Sequence, residues 1–134
     1  MLSKIFVHAD GGSRGNPGPA AIGVLILDEE KNELESYNER IGNATNNVAE
    51  YKALLKALQL VVKHTRKEVH VFMDSELIIN QMNGIYKVKS PELFELFQQV
   101  KDYEGEFTKV VYNHVPRENK FQTKADWLVN EALQ

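Results

Sequence analysis

Four acids stand at positions where an acid is expensive. Glu50 leads Leu54, Ala57, Leu58 and Val61 at the spacing of one helix face, so it heads a stripe that turns to the core. Asp10 ends an alternating run on the same side as Phe6 and His8, just before a glycine-rich stretch. Asp74 follows the apolar run Val69–Met73, and Asp126 lies beside Ala125 and three residues before Val129. Three of them have an ordinary explanation. Glu50 and Asp126 are placed as first-turn acids that the helix dipole favours by about 0.3–1 kcal/mol, and Asp74 as an N-cap. Jointly they suggest more, because an isolated buried carboxylate is very costly without a partner. All four fall where strands are expected to end and helices to begin, which is where sheet proteins place ligand sites. Hard carboxylate oxygens, with no cysteine in the chain, suit magnesium or manganese. Two such ions about 3.5–4 Å apart clamp the attacking and leaving oxygens of an in-line phosphoryl displacement.

The elements that must hold these acids are readable from periodicity. Residues 3–10 alternate as a strand, and Gly11–Pro19 is expected to be a loop. Ala20–Leu27 is a second strand, Asp28–Asn32 a polar turn and Glu33–Ile41 a third strand of a meander. Helical spacing runs from Asn46 to about His64. A short buried strand, Val69–Met73, precedes a helix over Ser75–Met82 that stops at Asn83-Gly84. Ser90-Pro91 opens another helix through about Tyr103, Phe107–Val115 is a last strand, and Ala125–Leu133 a terminal helix. The order βββαβααβα predicts an α/β fold: one mixed five-stranded sheet, a three-strand antiparallel meander plus two parallel strands, with helices on both faces.

Composition narrows the classes. A chain of 134 residues with 43% apolar content suits one domain, 1–134, with a single core. The absence of cysteine excludes disulfides and thiolate zinc sites, and the four histidines lack the helical spacing of a zinc enzyme. The first residues run directly into a strand without a signal-peptide pattern, and no stretch approaches the ~20 apolar residues that span a bilayer. A cytoplasmic protein with no membrane association is expected. The net charge of −3 argues against a phosphate-binding surface, until the acids are counted as ligands. Two divalent ions add four charges, and −3 + 4 = +1.

Four segments carry a resemblance. They are Asp10-Gly11-Gly12-Ser13-Arg14-Gly15-Asn16-Pro17-Gly18-Pro19, Thr45-Asn46-Asn47-Val48-Ala49-Glu50, Asp74-Ser75-Glu76-Leu77, and His114-Val115-Pro116-Arg117-Glu118 continued by Ala125-Asp126-Trp127. In this order, from about residue 4 to 133, they resemble the four motifs of type 1 ribonucleases H. The resemblance implies an endonuclease that hydrolyses the RNA strand of an RNA–DNA hybrid, leaving 3′-hydroxyl and 5′-phosphate ends. Asp10, Glu50, Asp74 and Asp126 would hold two Mg²⁺ ions, Mn²⁺ substituting, and His114 would assist proton transfer or product release. Asn16 and Thr45 would contact the DNA strand. No obligate protein partner is evident, so a monomer is expected.

The residues themselves agree with a nucleic-acid groove. Glycines at 11, 12 and 15 let backbone approach a sugar-phosphate chain, with Ser13 beside them. Short amides at Asn16, Asn46 and Asn47 both donate and accept, as a shallow groove showing 2′-hydroxyls on one strand requires. Helix capping by Thr45 or Asn46 is the plainer reading of that cluster. Three features depart from the family pattern. The span from His114 to Asp126 is longer, Glu76 replaces a groove-facing glutamine, and Asn83–Pro91 holds only Lys87 and Lys89 with Tyr86 in place of a long basic insertion. Modest, salt-dependent affinity is expected. A related nuclease acting on other RNA-containing duplexes and a catalytically silent hybrid-binding module are the alternatives. A pure binder gains nothing from four acids facing phosphates. A phosphotransferase would need a Gly-Lys-Ser/Thr loop, which the chain lacks.

Overall fold

A computed structural model describes residues 2–134; Met1, included in the expected domain 1–134, lies outside the described residues. The elements are β1 (Lys4–Ser13), β2 (Gly18–Leu27), β3 (Glu33–Ala44), α1 (Asn46–Val61), β4 (Glu68–Met73), α2 (Glu76–Met82), α3 (Pro91–Glu104), β5 (Lys109–His114) and α4 (Lys120–Ala132). The five strands form one sheet in the order β3-β2-β1-β4-β5. β1, β2 and β3 pair antiparallel, while β4 runs parallel to both β1 and β5. The expected mixed sheet and element order are both present.

Alternation along β1 sends its side chains to two different layers. Ile5, Val7 and Ala9 enter the main core with Leu54, Leu58 and Val61 of α1. His8, on the other face, meets Gln122 of α4. Helices therefore cover both faces, with α3 packed outside α1.

Three boundaries differ most from the sequence expectation. β1 continues through Ser13, because Gly11, Gly12 and Ser13 pair with Ile22, Ala21 and Ala20. Only residues 14–17 are left to make the turn, so the expected loop is mostly strand. Cross-strand pairing overrides the local glycine signal. β3 likewise extends past Ile41 to Ala44, which faces Gly18. The last helix begins at Lys120 rather than Ala125: the Asn119 side chain accepts hydrogen bonds from the backbone N–H of Phe121 (3.0 Å) and Gln122 (3.1 Å), a favoured N-cap arrangement.

Candidate active site

Each acid comes from a different element. Asp10 lies within β1, opposite Gly23 of β2, and Glu50 within α1. Asp74 immediately follows β4, and Asp126 lies within α4. All four line one cleft of about 250 Å³. Only Asp74 is at the junction of a strand and a helix; the expectation that all four occupy such junctions is corrected by the longer β1 and α4. The ordinary explanations lose their footing too. Neither α1 nor α4 has an acid in its first turn, and the dipole's influence fades beyond that turn. The Ser75 hydroxyl, not Asp74, caps α2 by accepting from the Ile78 N–H at 3.2 Å.

Two glycines allow this gathering. A Cβ on Gly11 would lie 2.3 Å from the backbone carbon and oxygen of Ala49. Only glycine lets β1 run this close to α1, and the contact sits between Asp10 and Glu50 in the chain. A Cβ on Gly23 would lie 2.5 Å from the Ala125 carbonyl oxygen, so β2 seats α4 one residue from Asp126. Gly11 thus has a packing duty toward α1 besides lining the cleft. Behind the acids, the Gln122 amide donates to the Ala9 carbonyl at 2.8 Å and its oxygen meets His8 Nδ1 at 3.0 Å. These buried bonds fix the roll of α4 and hence the place of Asp126.

The cleft is electrostatically tense. Burial, then the charges of Asp74, Asp126 and Glu50, push Asp10 far above the usual carboxylate range. Burial also lifts Glu50 to about 7, with Asp74 adding to it against the lowering effect of hydrogen bonds from Ser75 and Asn46. Asp74 is raised by burial and by Asp126, and lowered in part by Arg117 and His114. Among the described residues no three His, Asp or Glu side chains converge into a ready-made metal cage. The acids face a common space rather than a common point.

The remaining expected residues sort into three groups. Gly11, Gly12, Ser13 and Asn46 line the cleft. Asn16, Thr45 and Asn47 lie beside its α1 end: Asn16 Oδ1 accepts from the Asn46 backbone N–H at 3.0 Å, and the Thr45 hydroxyl caps α1 by accepting from the Val48 N–H at 3.2 Å. With Thr45 as the cap, Asn46 is free to donate its amide to Glu50 Oε1 at 3.0 Å. His114 and Glu76 are exposed and stand outside the cleft lining, although His114 is close enough to Asp74 to act on its charge. Sequence reasoning passed over three polar lining residues, Arg14, Arg117 and Asn130. Asn130 follows Asp126 by one helical turn and donates to Asp126 Oδ2 at 3.3 Å; the four-residue spacing was the available signal.

Comparison with known proteins places this geometry. The family described as "Reverse transcriptase-like" matches residues 8–132. The bifunctional protein Rv2228c of Mycobacterium tuberculosis is 43% identical over 131 residues, but the chain spans 35% of that protein's length. Its N-terminal RNase H domain, solved as a fusion with maltose binding protein, superposes with a TM-score of 0.93 at 42% identity, covering 98% of this chain and 94% of that one. RNase H1 from the halophilic archaeon Halobacterium salinarum gives 0.92 at 33% identity, covering 97% of both chains. LC11-RNase H1, isolated from compost by a metagenomic approach, was solved in complex with an RNA/DNA hybrid and gives 0.90 at 48% identity, covering 96% and 95%. With the fold, the order of motifs and the four-acid cleft in agreement with these likenesses, the chain belongs to the type 1 ribonuclease H family.

Proposed function

We propose that residues 1–134 form a catalytic domain that cuts the RNA strand of RNA–DNA hybrids, leaving 3′-hydroxyl and 5′-phosphate ends. The observation that carries this reading is the cleft itself: four carboxylates from four elements, without an ordinary structural duty, in a chain of this family. The donor set fits divalent magnesium, with manganese as a substitute. All donors are hard oxygens, and carboxylates spread around a space suit an ion that keeps several of its waters. Asp10, Glu50, Asp74 and Asp126 would hold two such ions. Bound there, they supply positive charge and a clamp for the attacking and leaving oxygens of in-line displacement.

The chain's own groups supply position. Asp10, on the rigid central strand, sets the depth of the site, and Asn46 orients Glu50. In the reaction a water oxygen bonds to phosphorus while the bond from phosphorus to the 3′ oxygen breaks, and a proton reaches that oxygen. His114, at the rim beside Asp74, is suited to helping that proton transfer or the release of product. The Asn46 carbonyl oxygen and the Asn47 amide remain for 2′-hydroxyls and groove edges. The Thr45 hydroxyl proton and the Asn16 amide N–H groups remain for the DNA strand. A chain without cysteine agrees with a reducing compartment, and we assign it to the cytoplasm as a monomer. No helix among the described residues is long and apolar enough to cross a membrane.

One assay tests the reading. Labelled hybrid, duplex RNA and duplex DNA are incubated with and without magnesium, and the RNA ends are mapped. Hybrid alone should be cut, only with the ion, and 2′-deoxy substitution at the nucleotides flanking the cut should suppress it, because a hydrogen-bonding site rejects a substrate lacking its partner. Equal cutting of duplex DNA, or cutting in chelator, refutes it.

A further inference from the structure

The cleft contains two arginines whose donors are not spent on its acids. Arg14 and Arg117 line the same space as Asp10, Glu50, Asp74 and Asp126, and both are exposed. Among the described residues neither guanidinium forms an ion pair. Arginine beside a carboxylate usually forms a bidentate pair; with four carboxylates at hand, its absence leaves two cationic forks turned to the open cleft.

Their backbones, by contrast, are held. The Arg14 N–H donates to the Pro19 carbonyl at 2.7 Å, and a Cβ on Gly18 would lie 2.1 Å from the Arg14 oxygen, so the turn is pressed tight. Its side chain makes one long bond, Nη2 to Asn130 Oδ1 at 3.4 Å. On the other wall, the loop carrying Arg117 is tied to the end of β4 by the Val115 N–H on the Met73 carbonyl at 3.0 Å. It is closed by Asn119 N–H on the Pro116 carbonyl at 3.0 Å and by the Thr123 hydroxyl on the Arg117 carbonyl at 3.3 Å. Each fork therefore swings from a fixed point, Arg14 from the β1–β2 turn beside Asn130 and Arg117 from the loop after β5, which is tied to the β4 end that Asp74 follows.

An acid-lined cleft repels the polyanion it must admit, and phosphate neighbours of the cut need cations the acids cannot provide. We propose that Arg14 and Arg117 grip the phosphates of the cleaved strand adjacent to the scissile one, one arginine each. The planar fork matches a phosphate's oxygens in pairs, which a lysine cannot do. The proposal rests on the hybrid-cutting reading above.

The test uses Arg14→Ala, Arg117→Ala and Arg117→Lys, with Arg66→Ala, whose partner is Glu106 away from the cleft, as control. Hybrids carry one neutral methylphosphonate on a 2′-O-methyl nucleotide at successive RNA positions, each compared with the same nucleotide on an ordinary phosphodiester. Wild type should lose about tenfold in kcat/KM at two linkages near the cut. Each alanine variant should lose about tenfold on unmodified hybrid, mostly in KM, and be insensitive to neutralising one of those two linkages. The slope of log affinity against log salt, read by anisotropy, should fall by about one per arginine. Arg117→Lys should restore the slope but only part of kcat/KM, and Arg66→Ala should match wild type. Variants that keep wild-type KM, slope and linkage sensitivity overturn the assignment, as do variants whose loss tracks a lowered melting temperature. If wild type cuts no hybrid, the hybrid-cutting reading falls separately, and the anisotropy slope decides on the arginines: an unchanged slope overturns them.

Discussion

Asp10 has three like-charged neighbours and little water around it. That combination favours the neutral form of the group, and the pair of cations proposed above would reverse the preference. Asn46 shows how tightly the neighbourhood is drawn: its amide cannot be removed without also orphaning a Glu50 oxygen. Asp10 is therefore the sharper probe. Asp10→Asn keeps the shape of the side chain and should cost several orders of magnitude in cleavage, because misplacing either ion spoils the clamp. Magnesium should raise the melting temperature of wild type more than that of the variant. Near-normal cleavage by purified Asp10→Asn, or equal magnesium shifts, would remove Asp10 from the ion site.

At the scale of elements, distances between backbones decide whether the acids meet. β1 touches α1 through Gly11 and β2 touches α4 through Gly23, with Asp10 and Gly23 paired between them. Adjacent residues of β1 offer a contrast. A methyl at Gly11 collides with the Ala49 backbone at 2.3 Å, whereas at Gly12 the nearest atom, on the Val129 side chain, is at 3.5 Å, ordinary contact. Gly11→Ala should destabilise the fold by about 1–3 kcal/mol or more and lower activity in step, by pushing Glu50 from Asp10. Gly12→Ala should melt close to wild type. Denaturant unfolding of both proteins measures this, and equal stabilities would show that the close approach is not what seats α1.

For the whole molecule, the buried titrating groups set a pH profile of opposing limbs. Glu50, near 7 in the fold against an ordinary 4.5, contributes stability that is complete below about pH 4.5 and is lost as pH rises through 7. Asp10, also raised, acts in the same direction and further into alkali. His8 is buried, which lowers it to about 4 from 6.5 against a raising hydrogen bond from Gln122. Its contribution is complete above 6.5 and is lost as pH falls toward 4. Below 6.5 the two limbs offset each other; above it only the acids act. The melting temperature in chelator should thus fall from pH 6.5 to 9, and magnesium, which binds deprotonated carboxylates, should flatten or reverse the decline. A chelated protein whose stability is level or rises over that range would contradict the buried-acid picture.

Periodicity alone determined the element order, because alternation in β1 and the Glu50–Val61 stripe of α1 are set by which residues must leave water. The acids were legible one by one for the same reason: each interrupts an apolar pattern. Boundaries were less so. The glycines at 11 and 12 read as loop because local propensity contains no term for the partner strand, and apolar spacing from Ala125 misses the first turn of α4, which the Asn119 side chain fixes by hydrogen bonds to backbone. What only the tertiary structure decided is convergence. That Asp10, Glu50, Asp74 and Asp126 share one cleft depends on strand order, on the side from which α4 covers the sheet and on two glycine contacts between elements far apart in the chain. So does the presence of Arg14 and Arg117 beside them: each is an unremarkable surface arginine in the sequence, and its meaning comes from neighbours that folding brings from elsewhere.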